Sequence, residues 1–104
     1  MPTYAVVTMT MESRDWTAGY LQPARELMAK HGGRSFIPVG PFDRIEGEHT
    51  PTAVTVLEFP SREAFFAFYN DPAYEPLKQV RLANTVGSMY VIDSDGPVDP
   101  LSLS

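Results

Sequence analysis

Four stretches of the chain set β-branched and aromatic residues at a period of two, and between them lie segments whose apolar residues return every three or four positions. In 3–11 (TYAVVTMTM), Tyr4, Val6, Thr8 and Thr10 point one way and Ala5, Val7, Met9 and Met11 the other, so neither face is wholly polar. The clearest strand is 52–59 (TAVTVLEF), with Ala53, Thr55, Leu57 and Phe59 on one face and Val54, Val56 and Glu58 on the other. A strand over 33–40 (GRSFIPVG) contains Pro38, which predicts a sheet edge or a bulge because proline cannot donate to a ladder. The last, 87–93 (GSMYVID), sets Met89 and Val91 against Tyr90 and Ile92.

Helical spacing fills the gaps. Ser13 is placed to cap a first helix with Asp15 in its first turn, and His31-Gly32-Gly33 closes it with a glycine able to take a left-handed conformation. At about 100° per residue, Trp16, Tyr20, Ala24, Leu27 and His31 share one arc, with Leu21 and Met28 at its edge. Pro23 lies inside this run and predicts a kink or a restart. After a polar, proline-bounded loop at 41–51, the segment 60–72 (PSREAFFAFYNDP) starts with Ser61 as cap, buries Ala64, Phe65, Phe68 and Tyr69 on one arc, and leaves Phe66 on the far side. A short helix within 73–84 (AYEPLKQVRLAN) follows, started by Pro72 or Pro76.

The resulting order, β-α-β-β-α-β with the second helix broken in two, predicts an α+β protein: a ferredoxin-like antiparallel sheet with helices on one face. Such a sheet should be polar on its open side, yet every strand here is apolar on both. The expectation is a homodimer whose two sheets close on each other.

Composition narrows the partners. At 104 residues the chain is one domain, expected over 1–93, with 94–104 (SDGPVDPLSLS) as an arm or disordered tail. A net charge of −5 with eight scattered basic residues argues against nucleic acid and anionic membranes. No run approaches the ~20 apolar residues of a membrane span, and the start lacks a signal-peptide pattern, so a cytoplasmic protein is expected. The absence of cysteine excludes disulfides and thiolate chemistry. Two distant histidines give no metal-ligand spacing, and no phosphate loop or nucleophile elbow is present, so neither metal nor cofactor is expected.

Three residues are candidates for catalysis. Arg81 falls on the apolar arc with Tyr74 and Leu77, where it needs an anion: either an internal carboxylate such as Glu58 or Glu46, or the carboxylate or enolate of a ligand. His31 ends the first helix, as a packed cap or as a general acid or base. Glu58 is either the partner of Arg81 or a base of raised pKa. Trp16, Tyr20, Phe68, Tyr69 and Tyr74 are core aromatics or the walls of a pocket for a flat ligand.

The run LEFPSREAFFAFYNDPAYEPLKQVR (57–81), together with KHGGR (30–34) and EG (46–47), resembles the domain of unknown function 1330 family of the dimeric α+β barrel superfamily. The resemblance covers roughly 3–93. It implies a ferredoxin-like protomer, a barrel-forming dimer, and a cleft between helices and sheet in each protomer. Superfamily relatives include cofactor-free monooxygenases, muconolactone-type isomerases, haem-handling enzymes and proteins without known activity, so the fold alone decides little. Relatives commonly carry Trp where this chain has Phe68, so an indole donor is expected to be missing from the cleft. The expected function is a homodimeric binder of a small anionic or aromatic ligand, with or without cofactor-independent catalysis. The alternative is a non-catalytic module in which Arg81 and His31 serve structural ends.

Overall fold

The computed structural model describes residues 1–97. Four strands, β1 (Thr3–Thr10), β2 (Arg34–Ile37), β3 (Ala53–Phe59) and β4 (Val86–Asp93), form one sheet in the order β2-β3-β1-β4. All three pairings are antiparallel. A 3-10 helix (Asp15–Gly19) and α1 (Leu21–Lys30) cross from β1 to β2, while α2 (Arg62–Tyr69) and α3 (Glu75–Asn84) cross from β3 to β4. This is the expected α+β arrangement with its second helix in two pieces. The terminal segment expected as an arm, 94–104, lies outside the described residues from 98 onward; at its start, Ser94 donates its backbone N–H to the Pro2 carbonyl. No helix of the described residues is long and apolar enough to cross a membrane.

The first helical segment does not form one helix from Ser13. Ser13 Oγ accepts from the Asp15 N–H at 3.1 Å, the tight 3-10 turn follows, and the α-helix restarts at Leu21. Pro23 therefore sits in the first turn of α1, where its missing N–H has no partner to lose, and the break comes before it. At the other end Gly32, at φ 80°, and Gly33 return their N–H groups to Ala29 and Met28, closing α1 as a Schellman turn. A side chain at Gly33 would collide with the Phe59 ring, so this turn also seats α1 on the sheet. Ser61 caps α2 as expected, accepting from the Ala64 N–H at 3.1 Å. Pro76, not Pro72, stands in the first turn of α3.

β2 is shorter than its sequence suggests. It ends at Ile37, directly before Pro38, and carries a register shift between Ser35 and Ile37; it is also an edge strand. Proline thus terminates the ladder where it cannot contribute a donor.

The two faces of the sheet divide by parity. Ala5 and Phe59 pack with Ala24, Met28, Phe65, Phe68 and Tyr74 to form the core under the helices. On the other face the register aligns Ile37, Val56, Val6 and Tyr90 in one apolar row across all four strands. Among the described residues nothing covers that row: Ile37 is 52% exposed, Tyr90 62%, and the neighbouring Ile92 53%.

Candidate functional site

The helix layer does not fill the space above the sheet. Ala24 on α1 and Ala53 on β3 are small residues turned inward, and between them a cavity of about 250 Å³ remains. Met9, Met28, Leu57, Phe68 and Met89 give it an apolar body. Its polar end is built from three elements. The 3-10 turn brings Trp16, Tyr20 follows at the start of α1, and the turn before α3 brings Tyr74. One helical turn and a half beyond Pro76, α3 presents Arg81.

These side chains hold one another. The Tyr20 and Tyr74 hydroxyls share a hydrogen bond of 2.6 Å. Trp16 meets Tyr20 edge to face at 5.2 Å between centroids, and Phe68 lies 4.5 Å from Tyr74. Burial, and then the nearby Tyr74, push the Tyr20 phenol far above its ordinary pKa, so it stays protonated. Arg81 is only 8% exposed. Burial works against its charge, but the phenol oxygens of Tyr74 and Tyr20 outweigh this and its pKa is raised, so it remains a guanidinium.

Two donors on side chains that line this cavity lack partners among the described residues. Arg81 Nε and Trp16 Nε1 are both buried without a hydrogen bond there. Among the described residues no carboxylate lies within ion-pair distance of Arg81. Arg14 and Arg25 also line the space, whereas aspartate, glutamate and histidine are absent from its described lining.

Of the sequence candidates, Arg81, Trp16, Tyr20, Phe68 and Tyr74 come together here. Three others do not. Glu58 is on the opposite face of the sheet, where Arg34 Nε donates to it at 2.7 Å. That bond, with a second from Tyr4, lowers its pKa, which corrects both the expected pairing with Arg81 and the expected raised pKa. Glu46, the other internal partner considered, makes no ion pair with Arg81 either. Tyr69 lies outside this cavity, stacked at 5.8 Å on Phe65 with the Lys78 ammonium 4.5 Å above its ring, but it borders the site: its ring is 6.2 Å from that of Tyr74, and with Arg81, Met9 and Met89 it lines a second, neighbouring pocket.

His31 is likewise remote from the cavity. Its Nε2 lies 2.9 Å from Asp71 Oδ2, which Lys30 also approaches at 3.2 Å. Asp71 in turn accepts the Ala73 N–H at 2.9 Å. The hydrogen bond from His31 first, then those from Ala73 and Lys30, hold the Asp71 carboxyl down at about 2. The contact ties the end of α1 to the turn between α2 and α3. A depressed carboxyl contributes stability above its unfolded pKa and loses it as pH falls through the folded one. The urea midpoints of the native protein and Asp71→Asn are therefore expected to differ at neutral pH and to converge as pH drops from about 3.8 to about 2. A difference that persists unchanged across that interval would show that the carboxylate charge contributes nothing.

Sequence reasoning missed Arg14, Arg25 and the methionines of the cavity. The available signal was the alternation itself, which puts Met9 and Met89 on the helix-facing parity alongside the small Ala53. An indole does reach the cavity from another element, since Trp16 lines the same space.

A family model described as Domain of unknown function (DUF1330) matches residues 2–94. The chain belongs to that family. Among solved structures it is similar to RPA0582 of Rhodopseudomonas palustris, a protein of unknown function, at 19% identity over 92% of this chain and 84% of that one, with a TM-score of 0.75. A dimeric ferredoxin-like protein of unknown function from Jannaschia sp. CCS1 aligns at 14% identity, 90% and 100% coverage, and TM-score 0.70. SnoaB of Streptomyces nogalater, a cofactor-independent oxygenase, aligns at 10% identity, 94% and 97% coverage, and TM-score 0.65. At such identities the likeness shows the ferredoxin-like α+β fold and no activity. Among curated proteins none matches this chain.

Proposed function

We propose that this DUF1330 protein is a cytoplasmic homodimer that binds one small organic molecule per protomer, with the ligand's apolar body in the cavity and its polar group at Arg81. The observation that carries this reading is a preformed space lined by Arg81 and Trp16, whose buried Nε and Nε1 donors have no partner among the described residues. Each buried unmade hydrogen bond costs about 1–3 kcal/mol, more for a charged group, and a structure tolerates that where a ligand repays it. Among the described residues Arg81 has no carboxylate partner, only the neutral phenol oxygens of Tyr74 and Tyr20 beside it, which leaves room for a ligand anion. His31 takes the structural part in this reading, through Asp71.

A cavity of about 150 Å³ is known to hold a benzene ring, so 250 Å³ admits one substituted ring. Dimerisation is supported by the bare apolar row on the open face and by a neighbour of the same fold described as dimeric. Catalysis is not required by the site. If a reaction occurs there, it is one that needs no protein carboxylate or imidazole beside the ligand, and cofactor-independent oxygenation, the activity of SnoaB, is of a kind to be assayed first.

The test uses the only tryptophan of the chain, which lines the cavity and so reports directly on occupancy. Titration with substituted single-ring aromatic acids is expected to change Trp16 emission and to raise the melting temperature together, saturating at one ligand per protomer. At a hundredfold excess over Kd the stabilisation amounts to about 2.7 kcal/mol. A folded protein in which no ring-sized compound moves either signal would sink the reading.

A further inference from the structure

The polar end of the cavity gives protons and has nowhere strong to receive one. A guanidinium offers five N–H donors and no acceptor, and an indole offers one donor only. In the Tyr20–Tyr74 pair one hydroxyl donates to the other, which leaves a single O–H free for a ligand. Thr17 and Thr55 already donate to the carbonyls of Arg14 and Ile37, at 2.6 and 2.5 Å. Only neutral oxygens remain as acceptors, since no carboxylate or imidazole belongs to the described lining.

A ligand that arrived carrying an acidic proton would have to keep it against a cluster of donors, or hand it to a weakly basic hydroxyl oxygen. Tyr20 cannot take the part of a base, because burial holds it in the protonated form. The charges agree with the hydrogen-bond count: three arginines, Arg14, Arg25 and Arg81, line this one space on a chain whose net charge is −5. An anion is repelled by most of the surface and attracted here, a distribution that raises its local concentration at the mouth.

We propose that the site takes its ligand as a conjugate base already ionised in water, the oxyanion of a small planar organic acid, with Arg81 and Trp16 as the groups that recognise it. The inference rests on the ligand-binding reading above and deepens it by naming the form of the ligand. The oxyanion meets the Arg81 and Trp16 N–H groups, and the ring lies among Met28, Leu57, Phe68 and Met89. Protonated acids, amides and esters leave one or both donors unmade and place a competing N–H or an alkyl group against a cation.

Ring-substituted benzoates and the corresponding benzamides, titrated into the intact protein and followed by Trp16 emission, separate the possibilities. The benzoate is expected to bind at least about tenfold more tightly than its amide, with the preference reduced in Trp16→Phe (followed by calorimetry) and abolished in Arg81→Met. A second probe is 4-nitrophenol, whose anion absorbs in the visible. Bound to the native protein it is expected to ionise about one pH unit or more below its value in buffer, and bound to Arg81→Met at its buffer value. Equal affinity for benzoates and benzamides, or a bound nitrophenol that stays neutral, overturns the ionic inference and leaves the ligand site standing. Binding of none of these probes overturns both.

Discussion

Replacing Val6 by aspartate is expected to convert the protein from a dimer into a folded monomer. Val6 is central on the open face: its register partners are Val56 on β3 and Tyr90 on β4, and Ile37 extends the row on β2. The rows on either side mix polar and apolar residues, with Arg34, Glu58, Tyr4 and Ile92 on one side and Val54, Thr8 and Ser88 on the other. A wholly apolar stripe between mixed rows is the composition of an interface rather than of a solvated surface. When two such faces meet about a two-fold axis, Val6 of each copy is buried near the centre, and an aspartate there is an unpaired charge taken out of water twice. Several kcal/mol are lost at each copy, which raises the dimer Kd by on the order of a thousandfold or more. In the separate protomer the same aspartate stays on an open face, and only the weaker strand preference, on the order of 1 kcal/mol, is forfeited. Sedimentation velocity at micromolar concentration should show the native chain and a Val6→Thr control as dimers and Val6→Asp as a monomer with unchanged far-ultraviolet dichroism. A Val6→Asp dimer at that dilution would place the interface elsewhere.

The fold was legible because it is written in parities. Alternation over 3–11 and 52–59 placed Ala5 and Phe59 on one face and Val6 and Val56 on the other, and the register confirms each assignment. Caps were legible for the same local reason: Ser61 and Gly32 act within a few residues of themselves. What failed was non-local. Glu58 was offered to Arg81 although its own parity puts it with Val54 and Val56, away from the helices, and its true partner Arg34 becomes a neighbour only through the β2–β3 pairing. His31 shared an arc with Trp16 and Tyr20 only if one helix ran through all three, and the chain restarts after Gly19, so the arc is broken and His31 faces Asp71. Tyr69 lay on the right arc of α2 but at its end, where it covers Phe65 instead of the cavity. The cavity itself is a deficit of volume, and a deficit appears only when facing elements are brought to their distances: Ala24 and Ala53 are unremarkable until they oppose each other.

Arg81→Met is expected to make the empty protein more stable and to deprive it of its ligand. Methionine nearly reproduces the aliphatic stem of arginine, so the apolar wall that Arg81 shares with Met9 and Met89 is largely kept while the charged head is removed. That head makes no ion pair within the described residues and carries an unmade N–H; relief of one buried unsatisfied donor, about 1–3 kcal/mol, is set against loss of the favourable phenol oxygens of Tyr74 and Tyr20 around the charge. The Tyr20–Tyr74 hydrogen bond does not pass through Arg81 and should survive the change. Urea denaturation at fixed protein concentration should therefore show a higher midpoint with an unaltered slope. Loss of the charge-assisted bond to an oxyanion should at the same time weaken binding by about 1.5–3 kcal/mol, or roughly ten- to a hundredfold. Opposite signs for stability and affinity are the mark of a residue kept for what it binds, because a buried donor left unmade in the empty protein is satisfied only by the ligand. A structural Arg81 predicts the reverse, a lower midpoint and no change in ligand affinity, and that pair of results would assign the guanidinium to the fold.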